Sequence, residues 1–341
     1  MKALVTGGGG FLGQYLVEAL LQKNYEVTVF CRGHYESLDA LGVTSIKGDL
    51  ANAKQVKEAC RDQDIVFHVA AKTGPWGAYE DFYSVNVVGT ENVVEACIAS
   101  GVKKLVYTSS PSVLSFFEDL SGVDESWPYP EFVVSAYQHT KMFGEQLVLA
   151  ANGTNGLMTT ALRPHVIWGP RDTQLFAGII ERVQQGKLAI IGDGKNKISV
   201  SYVENTAHAH IQAAESDNVG GKVYFVNEVE PVEMWGWINS LFRQLGVQEV
   251  KKRIPYKAAY FIGYLAEKIY QWLPLRGEPL FTRSVVAACG RDHYFDVSAA
   301  QRDFNLQSPV SMEEATRRFL NYYRCLLYTS DAAHEEDSVD L

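Results

Sequence analysis

The chain has 341 residues, 47% hydrophobic and 21% charged, with a net charge of −9, so it can bury a sizeable core and is ill-suited to nucleic acid as a partner. Its five cysteines, Cys31, Cys60, Cys97, Cys289 and Cys325, are odd in number and scattered with no Cys-x-x-Cys pair, which suggests neither a disulfide framework nor a zinc site and suits a reducing cytoplasm. A first strand starting at Lys2 leaves no room for a signal peptide, and no apolar run reaches the ~18 residues of a membrane span.

In chain order, an apolar strand at Ala3 to Val5 runs into Thr6 and the glycines Gly7, Gly10 and Gly13, followed by an amphipathic helix from Phe11 to Leu21. Strand, glycine turn and helix in that order form a dinucleotide-binding fingerprint. Gly7 and Gly10 let a pyrophosphate approach the backbone, Gly13 lets the helix lie against its strand, and the helix N-terminus offers N–H groups to the phosphates. Glu26 to Phe30 is a second strand. It ends in Cys31 and Arg32, where an NAD-binding chain commonly carries an acidic residue for the ribose 2′-hydroxyl. Arg32 can pair with a 2′-phosphate, which favours NADP(H) with NAD(H) as the other option; a solvated loop charge is the plainer reading. A short strand at Thr44 to Lys47 leads to Asp49 and Leu50, which either meet the adenine or start the helix from Ala53 to Ala59, with Asn52 or Asp49 as its cap.

The fourth strand, Asp64 to Val69, is nearly all apolar and ends in Ala70 and Ala71, small enough to leave space for a ribose. Asn86 opens a helix running to Ser100, either fixing backbone beside a site or lying on the surface. The fifth strand, Lys104 to Tyr107, delivers Ser110 at its carboxyl end. Strands alternating with helices at this interval predict an α/β fold with a doubly wound parallel sheet, whose ligands lie at the carboxyl ends of the strands. On the next helix Tyr137 and Lys141 stand four residues apart and share a face. A phenol has a pKa near ~10, and a neighbouring ammonium, reinforced by a positively charged nicotinamide, would bring it down. The sixth strand ends at Arg163-Pro164, and His165, Trp168, Arg171 and Phe176 follow it; with Trp76 and Tyr79 they either line an apolar pocket or fill the core of a second lobe.

Taken as an ordered set, TGGGGFLG, GDL at residues 48–50, YTSSPSVL at 107–114, YQHTK at 137–141 and LRPHVIWGPRD at 162–172 resemble the extended short-chain dehydrogenase/reductase superfamily. The stretches at 199–214, 224–238 and 294–319 resemble its 3β-hydroxysteroid dehydrogenase branch, which takes in sterol-4-carboxylate dehydrogenases and bacterial 2-alkyl-3-oxoalkanoate reductases. CRGHYESLDALGV and AAKTGPWGAY are most similar to the latter. The resemblance implies a catalytic set of Ser110, Tyr137 and Lys141, with Tyr137 passing a proton to or from the carbonyl oxygen, Ser110 hydrogen-bonded to that oxygen and Lys141 on the nicotinamide ribose. It also implies cofactor contacts from Phe11, Leu12, Lys72, Thr108, Pro164 and Ile167. The family's Asn-Ala-Ala-Gly phrase is replaced by His68-Val69-Ala70-Ala71-Lys72. Relatives of this kind act on a hydroxyl or ketone β to a carboxylate, which Lys72, His139, His165 or Arg171 would pair with here.

The expected layout is a dinucleotide-binding Rossmann domain at 1–165 and about 199–226, with a smaller helical substrate lobe at about 166–198 and 227–324. Residues 254–273 form an apolar helix that either packs on the second lobe or lies in a membrane interface. A helix begins near Ser298 with Ser298 as its cap, and the last one spans Met312 to Tyr323. The stretch 325–341 lacks periodicity, carries Asp331, Glu335, Glu336, Asp337 and Asp340, and resembles translated vector sequence; it is expected to be disordered or poorly packed. The implied function is an NAD(P)-dependent oxidoreductase of the cytoplasm acting on a bulky hydrophobic 3-hydroxy or 3-oxo acid or sterol, with a homodimer in keeping with the superfamily. The alternatives are a nucleotide-sugar epimerase or dehydratase of the same fold, or a non-catalytic NADP-binding sensor.

Overall fold

The computed structural model describes residues 1–336 apart from Ser115, Thr173, Gln174, Pro274 and Arg276, and side chains as far as Leu327. Seven strands form one parallel sheet: β1 (Lys2–Thr6), β2 (Glu26–Cys31), β3 (Thr44–Lys47), β4 (Ile65–His68), β5 (Lys104–Thr108), β6 (Met158–Arg163) and β7 (Lys222–Phe225). Their spatial order is β7-β6-β5-β4-β1-β2-β3. The chain winds one way from β1 through β2 to β3 and then crosses back to β4, so the crevice between β1 and β4 lies where the winding reverses. That is where a parallel sheet of this type offers a ligand its backbone groups.

Val5, Val29, Phe67 and Val106 are buried because helices cover both faces. On one face α1 (Phe11–Gln22) and the helix Val203–Glu215 interdigitate through Leu16, Leu20, Ala207 and Ile211. On the other, α2 (Ala53–Ala59), α3 (Gly89–Ser100) and α4 (Ala136–Ala150) bring in Val56, Val93, Cys97 and Val148. Asn52 caps α2, accepting a hydrogen bond from Gln55 N at 3.2 Å, while Asp49 accepts one from Ala51 N, so the cap falls to Asn52.

A second core gathers Trp168, Phe176, Ile180, Tyr202, Trp235, Phe242, Phe319 and Tyr323. Tyr202 belongs to this core although the sequence reading assigned its stretch to the dinucleotide domain. Ser298 is the first residue of its helix rather than the cap; its N–H donates to Asp296 Oδ1 at 2.8 Å. The last helix, Met312–Glu336, continues past Tyr323, so the backbone of 325–336 is helical where a disordered or poorly packed stretch is expected. Cys325 and Leu326 on it are exposed, and residues 337–341 lie outside the described residues.

The apolar stretch at 254–273 forms the helix Tyr256–Trp272. It buries Ala259, Gly263 and Glu267, and a Cβ on Gly263 would stand 3.0 Å from the main chain of Thr282, so this small residue permits close packing on the helix Arg283–Gly290. Its opposite face leaves Phe261, Ile262, Leu265, Ile269 and Trp272 exposed. Among the described residues no helix is long and apolar enough to cross a membrane.

Candidate active site

The glycine turn is shaped by what a side chain would strike. Gly7 has a φ of +72°, and a Cβ there would lie 2.8 Å from the main chain of Ala70, the first small residue after β4. A Cβ on Gly13 would stand 2.2 Å from the Gly7 carbonyl oxygen, so only glycine lets α1 sit this close to the turn. Gly10 caps α1 without any side-chain hydrogen bond, which leaves the first N–H groups of the helix and its positive end for an anion. Leu12 is buried and Phe11 rests edge-on against Tyr15. The ring of Tyr35 lies where a Cβ on Gly9 would be, covering the turn; nothing in the sequence pattern singles it out. Arg32 is exposed just beyond β2.

The carboxyl ends of β4 and β5 hold polar groups in a dry setting. His68 is fully buried, bonded through Nδ1 to Thr6 Oγ1 at 2.7 Å and through Nε2 to Thr90 Oγ1 at 3.0 Å. Burial, assisted by the nearby Lys141 ammonium, pushes its pKa down to about 3, so it is neutral. Thr108 shares a 2.7 Å hydrogen bond with His210 Nε2. Ser110 caps the short turn Pro111–Val113, accepting from Ser112 N at 3.2 Å.

Helix α4 then carries Tyr137 and Lys141 to this edge. Tyr137 is half-buried, and burial raises the pKa of its phenol while the hydroxyls of Ser110 and Ser112 pull it the other way and lose. Lys141 is almost completely buried, and desolvation brings its pKa down to about 7 against the opposing pull of Glu145. Its ammonium donates to the Thr108 carbonyl at 2.7 Å and lies 4.1 Å from the centre of the Tyr107 ring. The expected lowering of the phenol by the lysine is therefore not what these residues produce: the ammonium is turned to a backbone carbonyl and a second tyrosine. Asn86, for which two readings stood, is buried in the π-helical turn Ser84–Val88. It clamps Lys72 from both sides, accepting from its N–H at 2.8 Å and donating to its carbonyl at 3.0 Å, and donates to Thr140 Oγ1 on α4 at 3.1 Å.

A cleft of about 320 Å³ opens beside Tyr137, and its lining includes Trp76, Tyr79, Phe82, Glu267, Gln271 and Arg283. The ring of Trp76 meets that of Tyr270 edge-on at 6.1 Å. Of the expected substrate contacts, Trp76, Tyr79 and His139 line this cleft, and His139 Nδ1 is 3.2 Å from Tyr79 Oη. The others do not. Trp168 and Phe176 are sealed in the second core, where the other reading of these aromatics had put them. His165 is buried among Phe116, His293 and Phe295. Arg171 reaches the far side of α1, paired with Glu18 at 2.6 Å and stacked 3.8 Å from the Tyr15 ring centre. Lys72 is paired with Asp81 at 3.3 Å. Pro164 is buried and Ile167 pairs with Ser201 in a separate two-stranded ladder. Sequence reasoning did not place Glu267 and Arg283 beside this cleft: they lie 130 and 146 residues beyond Tyr137, Glu267 in a stretch whose visible signal is amphipathic periodicity and Arg283 beyond it.

Residues 4–256 match the sequence model of the 3-beta hydroxysteroid dehydrogenase/isomerase family. The chain belongs to this family. Family membership makes it an oxidoreductase that uses a nicotinamide cofactor, and the glycine turn, with its uncapped helix end and a main-chain approach that a Cβ would block, fits such a group. The chain is 44% identical to the 2-alkyl-3-oxoalkanoate reductase of Stenotrophomonas maltophilia (strain K279a) over 326 residues, 93% of this chain and 98% of that protein. It is 35% identical to the mouse (Mus musculus) sterol-4-alpha-carboxylate 3-dehydrogenase, decarboxylating, over 95% of this chain and 91% of the relative. Among solved structures, the UDP-glucuronic acid 4-epimerase of Bacillus cereus in complex with NAD superposes with a TM-score of 0.74 over 96% of this chain and 99% of that one at 22% identity, a likeness of fold.

Proposed function

We infer that this family member reduces the ketone of a hydrophobic 2-alkyl-3-oxo acid to the alcohol, with NADPH as the preferred reductant. The observation that carries the reading is a cleft with a phenol at its wall and aromatic side chains beside it, in a chain 44% identical to a 2-alkyl-3-oxoalkanoate reductase. The bound nicotinamide supplies the hydride. Everything else falls to the protein. Tyr137, whose raised pKa keeps it protonated at neutral pH, gives its proton to the carbonyl oxygen as hydride reaches the carbon, so the direction of the shift suits reduction. Ser110, beside that phenol, donates to the same oxygen as charge gathers on it. Lys141, one helical turn along α4 from Tyr137 and held on the Thr108 carbonyl, would hold the nicotinamide ribose.

The residues assigned to the cofactor are Gly7, Gly10, Phe11, Leu12 and Gly13 at the phosphates, Asp49 and Leu50 at the adenine, and Ala70, Ala71, Lys72, Thr108, Pro164 and Ile167 along the strand ends. Arg32 would read the 2′-phosphate, since the position after β2 holds no carboxylate to repel it. Trp76, Tyr79 and Phe82 are the wall for the alkyl chain. Replacing Tyr137 with Phe tests the reading: NADPH consumption with such an acid is expected to stop while NADPH still binds.

A further inference from the structure

We propose that Arg283 is the anchor for the substrate carboxylate. The proposal rests on the reading of the cleft as the site of 3-oxo acid reduction and adds the group that recognises the acid. In a 3-oxo acid the carboxylate carbon is two bonds from the reacting carbonyl, so the partner of the carboxylate must share a cavity with Tyr137. Arg283 does, and it brings the one guanidinium among the described residues of that lining.

The local packing presents this side chain. Gly263 lets the helix Tyr256–Trp272 approach the start of Arg283–Gly290, which brings the buried Glu267 beneath the arginine. Glu267 Oε2 accepts from Arg283 Nε at 2.7 Å, and Oε1 accepts from the Arg283 main-chain N–H at 2.7 Å. Only the first contact involves the guanidinium, and it is made at Nε; the second ties down the main chain at the start of the helix. No described residue accepts from its two terminal nitrogens, and the side chain remains partly open to the cleft. A planar pair of N–H donors with fixed direction matches the two oxygens of a carboxylate, and Glu267 has already paid the entropy of holding it. Arg283 and Ser284 also begin a helix, so the positive end of that dipole adds to the attraction and offsets the charge of Glu267. With Tyr137 at the ketone and Arg283 at the acid, the alkyl branch between them is left facing Trp76, Tyr79 and Phe82.

The test compares a 2-alkyl-3-oxo acid with its methyl ester, which keeps the ketone and alkyl chain but loses the anion. For Arg283→Gln the KM for the acid is expected to rise about 10- to 100-fold, the loss of one charge-assisted bidentate contact, with a much smaller change for the ester. Arg283→Lys is expected to restore part of the preference for the acid. Acid and ester losing efficiency together, or neither changing, would overturn the assignment of Arg283 while the reductase reading stands. A wild-type protein that reduces neither would overturn the reading and this proposal with it. Because Arg283→Gln strands a buried carboxylate, the wild type supplies an independent measure: a non-reducible 2-alkyl carboxylic acid should inhibit at least about tenfold more tightly than its primary amide. Equal inhibition by the two contradicts the proposal.

Discussion

Tyr137 and Lys141 show how far side-chain spacing carries an argument. Four residues apart on one helix, they were bound to share a face, and the structure puts both at the edge of the sheet where β5 ends. Spacing says nothing about where the ammonium points. Lys141 is buried beneath the helix and turned to the nearest acceptor, the Thr108 carbonyl, so it does not depress the phenol, and burial alone sets the direction for Tyr137. Arg32 is the other residue whose neighbours decide its use: it follows β2 with no acidic side chain at that position. Arg32→Asp is expected to shift the ratio of kcat/KM for NADPH over NADH toward NADH by about tenfold or more, since it removes a charge-assisted contact and adds a repulsive one. A ratio that stays put would remove Arg32 from the phosphate site.

At the level of elements, α4 is held to the sheet by a buried ion pair as well as by apolar packing. Glu145 takes two hydrogen bonds from Arg163 at the end of β6, at 2.9 and 2.6 Å, and a third from Tyr129 at 2.6 Å, with both charged groups essentially out of water. Glu145→Ala leaves the guanidinium buried and unpaired, so a loss of about 3–5 kcal/mol in urea unfolding is expected. A loss below about 1 kcal/mol would mean that water or another acceptor reaches Arg163. The strands and helices around this pair were legible because each carries its own periodicity and its own glycine or cap. Asn52 capping Ala53–Ala59 is an example. Less legible were contacts between elements distant in the chain. Nothing in the local pattern distinguishes Trp168 and Phe176 in the second core from Trp76 in the cleft, because an aromatic residue after a strand serves either place. Glu267 and Arg283 become a pair only once two helices pack at Gly263.

Across the whole molecule, the polar residues withdrawn from water include four histidines: His68, His165, His210 and His293. Burial pushes them down to about 3, 3, 4 and 4. In the unfolded chain they titrate near 6.5. Between those values the unfolded state binds more protons, so their contribution to stability is complete above about pH 6.5 and is lost as the pH falls toward 4. His165 is the clearest case, with Nε2 buried and unpartnered in an aromatic cluster. His165→Phe should flatten the acid limb of the unfolding free energy against pH by up to about 1.4 kcal/mol per pH unit, one proton's worth. An unchanged slope would show that His165 is charged in the folded state.

The claim on which the functional reading turns is that the hydroxyl of Tyr137 delivers the proton that completes ketone reduction. It is tested most directly by comparing wild type and Tyr137→Phe for NADPH oxidation with a 2-alkyl-3-oxo acid, alongside the NADPH dissociation constant of each. The expected result is a fall in kcat of about 100-fold or more with NADPH affinity within a few-fold of wild type, because the ring stays and only the donor goes. Turnover that survives the substitution would contradict the account.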